Sequence, residues 1–155
     1  MVSLQGVSKS YFGDTRVLER IDLELKKGDF IYVVGGTGAG KSSLLRMLAT
    51  EELPSTGSLK LFGYDIATAS PAQLRAIRQV LGYIPQNVRL IPDLSVLDNV
   101  ALSVSLAGRR AIAAQGRAKI GELLDRLGLA AKRDKPASTL SGGEAQRVAM
   151  ARALV

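Results

Sequence analysis

Residues 35–42 constrain this chain more than any other stretch: Gly35-Gly36-Thr37-Gly38-Ala39-Gly40-Lys41-Ser42. The octet fits G-x-x-x-x-G-K-[ST], a loop that cradles phosphate. The flanks agree. The apolar run Phe30-Ile31-Tyr32-Val33-Val34 precedes it, and Leu44, Leu45 and Leu48 follow at helical spacing. Glycines let backbone N–H groups close around an anion, and the following helix adds the positive end of its dipole. Lys41 brings a charge to the β- and γ-phosphates, and Ser42 brings a hydroxyl to Mg²⁺. The bland alternative is a chance glycine turn, which would not need a strand before it and a helix after it.

Strands and helices alternate along the chain, the pattern of an α/β fold. Residues 2–7 and 16–25 read as strands; in the second, Ile21, Leu23 and Leu25 alternate with Asp22 and Glu24. The uninterrupted apolar run at 30–34 predicts a strand buried on both faces. Residues 58–62 and 81–84 read as further strands. Ser70-Pro71 opens a helix running to about Val80, with serine as cap and proline at the first position. Ser95, with Asp98 three residues on, starts a helix over 96–106. A helix over 111–127 stops at Gly128, an exposed connector covers 133–139, and a last helix spans 143–154 with Val148, Ala149 and Ala153 available for burial.

A second anion-binding signal opens that last helix. Leu140-Ser141-Gly142-Gly143-Glu144-Ala145-Gln146-Arg147 places a serine and two glycines at a helix start, for the same reasons as the first loop. Glu144 reads as a cap of this start rather than a base.

Composition narrows the chemistry. The 155 residues include no cysteine and no histidine, so disulfides, thiolate metal sites and an imidazole base are excluded within them. The formal net charge of +7 admits phosphate ligands, an anionic membrane surface or nucleic acid. The basic residues are scattered and no basic stripe interleaves with aromatics, so solvated surface charge stands first, a place near anionic lipid second, and no nucleic-acid partner is expected. No run reaches the roughly 18 apolar residues of a membrane span. A membrane role is therefore expected to come through a partner.

Taken with these motifs, the chain resembles the ABC ATPase family over essentially its whole length. Residues 140–147 are similar to that family's signature motif and residues 35–42 to its Walker A loop. Gln86, after Gly82-Tyr83-Ile84-Pro85, is similar to the Q-loop glutamine. Tyr11, in Val7-Ser8-Lys9-Ser10-Tyr11, is similar to the aromatic that stacks on adenine, with Phe12 as the alternative ring. The resemblance implies a P-loop NTPase fold within one domain, 1–155, having an N-terminal antiparallel β subdomain and a helical subdomain at about 87–142. It implies ATP and Mg²⁺ as ligands. The nucleotide would meet Tyr11, Gly35, Gly36, Thr37, Gly38, Ala39, Gly40, Lys41, Ser42 and Ser43. Ser42 and Gln86 would serve the metal, and Lys41 and Gln86 the reaction. Ser141, Gly142 and Gly143 would contact ATP bound to a second copy, giving a homodimer that sandwiches nucleotide.

The subfamily signal lies in Arg89-Leu90-Ile91-Pro92-Asp93 and Leu97-Asp98-Asn99-Val100-Ala101-Leu102, which resemble the cell-division FtsE group. That implies an FtsX-like permease partner and a place at the cytoplasmic face of the inner membrane. Lipoprotein-release and macrolide-export ATPases are the alternative. A truncated, non-catalytic nucleotide-binding module is the alternative of another class. The permease contact is expected on residues 86–106, with Leu97 and Val100 as its apolar anchors. The family's Asp-Glu strand and its later histidine have no counterpart before Val155. The chain is therefore expected to be a fragment that lacks the C-terminal core strands and is inactive by itself.

Overall fold

The computed structural model describes residues 1–12, 15–106 and 113–155, with the side chains of 105, 106 and 113–115 left out of the description. It divides into two compact units, Met1–Leu81 and Gly82–Val155.

The first unit is built on β1 (Val2–Tyr11), β2 (Thr15–Leu25), β3 (Thr56–Leu61) and β4 (Tyr64–Asp65), with helices α1 (Lys41–Leu48) and α2 (Pro71–Val80). The strands form an antiparallel sheet in the order β2-β1-β3-β4. Alternation along β2 decides its facing: Ile21, Leu23 and Leu25 are partly buried while Asp22 and Glu24 lie in solvent. Leu4, Val7, Leu18, Leu59 and Leu61 from the sheet pack with Leu44 and Met47 of α1 and Ile77 of α2. Each side chain buried there contributes about 1.5–3 kcal/mol relative to exposure. Ser70 caps α2 as expected: its hydroxyl accepts from the Gln73 amide at 3.3 Å, and the Gln73 side chain accepts from the Ser70 amide at 2.7 Å.

Helix α1 ends in a turn with an uncommon residue. Thr50 takes a left-handed φ of 58° where glycine is usual. Two bonds close the turn, from the Thr50 amide to Met47 O at 3.0 Å and from the Glu51 amide to Arg46 O at 2.9 Å. Arg78 of α2 secures it, donating to Thr50 Oγ1 at 2.7 Å and Thr50 O at 2.9 Å.

Residues 30–34 depart from expectation. They form no strand, and all five are exposed, with Phe30 and Tyr32 each 79% accessible. Their two rings meet edge to face at 4.9 Å. Such a run becomes a buried central strand only when strands pair with its edges and helices cover its two faces, and no described strand pairs with it. The short strand expected at 81–84 is likewise absent.

The second unit is helical: α3 (Val96–Leu106), α4 (Ala113–Arg126) and α5 (Gly142–Leu154). The first two residues of the helix expected over 111–127 lie outside the described residues. Val96, Val100, Ile120, Leu124, Leu129, Val148 and Ala151 form the core. Of the α5 residues expected inside, Val148 and Ala149 are buried; Ala151 takes the inner position in place of Ala153. Val100 is fully buried, so it cannot serve as an exposed anchor for a partner. The connector at 133–139 is exposed as expected, apart from Ala137, and is fastened by backbone bonds. The amides of Val96 and Leu97 donate to Lys135 O and Arg133 O, each at 3.0 Å, and Ala137 and Ser138 donate back to Leu94 O and Pro92 O.

Candidate functional site

The phosphate loop sits in the first unit, between the exposed run and α1. Its last glycine is fixed sterically. Gly40 has a φ of 83°, and a Cβ there would stand 2.6 Å from both Leu18 Cδ2 and Val17 O of β2. The loop is thereby pressed against the sheet at the point where α1 starts. The first bond of α1 runs from the Leu44 amide to Gly40 O at 2.9 Å. The amides of Lys41, Ser42 and Ser43 therefore have no carbonyl one turn behind them in the helix, and this end of the helix carries positive potential. Lys41 folds back over the loop and donates to Gly35 O and Gly36 O, both at 2.7 Å. An ammonium has three protons, so one remains for an anion above the loop. Ser42 is exposed beside it. An amide cradle, a held ammonium and an adjacent hydroxyl are the donor set that a magnesium-bound polyphosphate needs, and the residues present fit it.

Tyr11 ends β1 in the same unit. Its hydroxyl lies 3.1 Å from Ser43 Oγ and donates to the Glu52 carboxylate. Lys9 Nζ stands 5.0 Å from its ring centroid. Phe12, the alternative ring, is fully exposed at a left-handed φ of 34°. Glu52 also pairs with Lys9 at 3.2 Å and Arg46 at 3.3 Å. Burial works to raise its carboxyl, but bonds from Tyr11, Lys9 and Arg46 outweigh that and hold it below the ordinary value. Sequence reasoning does not single out Glu52, because its partners come from β1 and α1 and no local spacing announces them.

The second anion-binding loop and Gln86 belong to the other unit. Ser141 caps α5: its hydroxyl accepts from the Glu144 amide at 3.3 Å, and Glu144 accepts from the Ser141 amide at 2.8 Å. Glu144 thus caps the helix, and that backbone bond is the first cause of its lowered pKa. Ser141, Gly142 and Gly143 are exposed. Gln86 is exposed on a loop whose far end is well anchored. Asn99, buried in α3, accepts from the Ile91 amide at 2.8 Å and donates to Ile91 O, Leu94 O and Ser95 O. Arg152 of α5 holds Arg89 O at 2.7 Å. Among the described residues no three acidic, histidine or cysteine side chains gather as a metal site.

Residues 18–155 match the protein family described as ABC transporter. The chain belongs to the ABC transporter family, as an ATP-binding subunit. Its enzymatic class is ATPase. It is 44% identical to the lipoprotein-releasing system ATP-binding protein LolD of Shewanella sp. (strain MR-7), covering 100% of this chain and 68% of that protein. The methionine import ATP-binding protein MetN of Caulobacter vibrioides is 43% identical, over 99% of this chain and 46% of its own length. The macrolide export ATP-binding/permease protein MacB of Syntrophobacter fumaroxidans is 38% identical, over 100% of this chain and 22% of its own length. Among solved structures, the dimeric bacterial ABC transporter cassette MJ0796 superposes with a TM-score of 0.89 at 32% identity, covering 99% of this chain and 69% of that one. The P-loop NTPase fold of an ABC cassette is thus shown, with its N-terminal antiparallel sheet. These relatives give the cell-division assignment no support; two of them are the lipoprotein-release and macrolide-export systems named as its alternative.

Proposed function

We propose that this ATPase binds Mg-ATP at residues 35–43 and works in a lipoprotein-releasing type of transport system, at the cytoplasmic face of the membrane. The observation that carries the binding reading is Lys41, held by two loop carbonyls beside free helix amides. In this reading Lys41 meets the β- and γ-phosphates, the amides of 36–43 bind phosphate oxygens, and Tyr11 stacks on adenine. Ser42 and Gln86 hold the metal, which when bound neutralises phosphate charge during transfer to water. Gln86 also orients that water. Ser141, Gly142 and Gly143 serve the nucleotide of a second copy; MJ0796, similar over nearly the whole chain, is a dimer. We place the helical subdomain at about 87–142, and the permease contact on the exposed part of the loop from Gln86 to Asp93 rather than on Leu97 and Val100. The lipoprotein reading rests on the identity to LolD over all of this chain. Co-purification with a lipoprotein-release permease, and not with a methionine-import one, is its test.

The binding reading is tested with Lys41→Ala. Charge-assisted hydrogen bonds contribute about 1.5–3 kcal/mol, so affinity for Mg-ATP should fall by about tenfold or more in calorimetry. Unchanged affinity would remove the loop from the site.

A further inference from the structure

We propose that Glu52 is a positioning residue for nucleotide recognition: it fixes the Tyr11 ring that receives the base and ties it to the first turn of the phosphate-binding helix. This rests on the reading of Tyr11 as the adenine platform.

Three features of the first unit converge on it. Lys9 and Tyr11 lie two apart on β1, so they share a face of the strand. The tyrosine hydroxyl has one proton, and it goes to Glu52. The Ser43 hydroxyl lies within hydrogen-bonding reach of the same phenol, at 3.1 Å. A chain of hydrogen bonds thus runs from Ser43, next to the proposed metal ligand, through Tyr11 to Glu52. The Lys9 ammonium completes it from two sides, 3.2 Å from Glu52 and 5.0 Å from the tyrosine ring centroid. One ring face is taken by this cation, which leaves the opposite face for a base.

Glu52 is not there by the accident of a mobile surface side chain. The left-handed turn at Thr50, secured by Arg78, aims the chain after α1 back toward the end of β1. Residues 53–55 are then laced to that strand. Lys9 Nζ donates to Leu53 O at 2.8 Å, the Ser55 amide to Ser8 O at 2.9 Å, and the Ser10 amide to Ser55 Oγ at 3.1 Å. A strained turn, one arginine clamp and a short run of hydrogen bonds to β1 therefore hold one carboxylate against one phenol.

The test measures affinity for Mg-ATP and for magnesium tripolyphosphate, which lacks the base, by calorimetry on the full 155-residue chain. Glu52→Ala and Tyr11→Phe should each weaken Mg-ATP by about 5–10-fold, the scale of one ordinary net hydrogen bond, with tripolyphosphate altered by less than about twofold. The double variant should bind no more weakly than either single one, because both remove the same bond. Glu52→Gln should restore affinity to within about twofold of the unaltered chain, since its amide oxygen still accepts the phenol proton. Equal losses for both ligands in Glu52→Ala, or additive losses in the double variant, would overturn the proposal. Tyr11→Ala separates the two ideas. If it leaves Mg-ATP affinity unchanged, the platform reading fails and the proposal with it; if it lowers affinity while Glu52→Ala does not, the proposal alone fails.

Discussion

Two glycines of the phosphate loop show how differently one residue type can be constrained. Gly40 combines a φ of 83° with backbone and side-chain atoms 2.6 Å from the place a Cβ would occupy. Gly36 would meet nothing within 4 Å. A left-handed alanine costs about 1–2 kcal/mol and overpacking a further 1–3 kcal/mol, so Gly40→Ala should lower stability by about 2–5 kcal/mol in urea unfolding. Gly36→Ala should stay within about 0.5 kcal/mol, as an unconstrained surface change does. Equal effects would mean that the loop is not pressed on β2. Two glutamates make a separate prediction. Glu52 and Glu144 both titrate below their ordinary 4.5. A carboxyl lowered by folding adds stability above its unfolded pKa, and that stability fades as pH falls through the folded one. Unfolding free energy should therefore be flat from neutrality to about pH 5 and drop below 4.5, and Glu52→Gln should flatten part of the drop. A profile unchanged by that substitution would dissociate Glu52 from its partners.

Helix α3 carries the side chain that organises the loop before it. Asn99 is 1% exposed and uses both ends of its amide on the loop at 91–95. Replacing it by leucine keeps the branched outline but strands the Ile91 N–H, while Ile91 O, Leu94 O and Ser95 O keep their backbone donors. An unsatisfied buried N–H costs about 1–3 kcal/mol, so Asn99→Leu should destabilise the second unit by about 1–3 kcal/mol. It should also raise amide exchange at Ile91 and Leu94 before the α4 core opens. Protection left intact at those two amides would show that the loop stands without Asn99. Helix α5 is clipped at both ends. Its capping box orders Ser141, while its last turn carries Arg152 against Arg89 O and Ala153 O against Gly82, where a Cβ would come within 2.7 Å. The helix that presents the second anion-binding loop is thus joined to both flanks of the segment holding Gln86.

Across the whole chain, the feature that governs handling is the run at 30–34. Five consecutive apolar residues, all exposed, carry no charge and no proline, a combination that pairs readily with other chains. The 155-residue chain should therefore self-associate as concentration rises, and Ile31→Lys with Val33→Lys should suppress this without moving Mg-ATP affinity by more than about twofold. Light scattering on both forms decides it; association unchanged by the charges would place the contact elsewhere.

The sequence by itself determined the local devices, because each depends on residues close along the chain. Glycines and a lysine at fixed spacing specify the phosphate loop, serines before Gln73 and Glu144 specify capped helices, and alternation along 21–25 specifies a half-buried strand. It also determined the family, since two loops of this kind with Gln86 between them leave few alternatives. Tertiary structure decided the rest. A run such as 30–34 has the composition of a buried strand, but burial is a property of neighbours, and no other described strand lies against it. Val100 carries the spacing of an exposed anchor, yet packing against α4 and α5 takes it inside. Glu52 has no signal in its own segment; it gains its partners only when the turn at Thr50 brings it back to Tyr11, and hydrogen bonds between residues 41 apart are set by the fold.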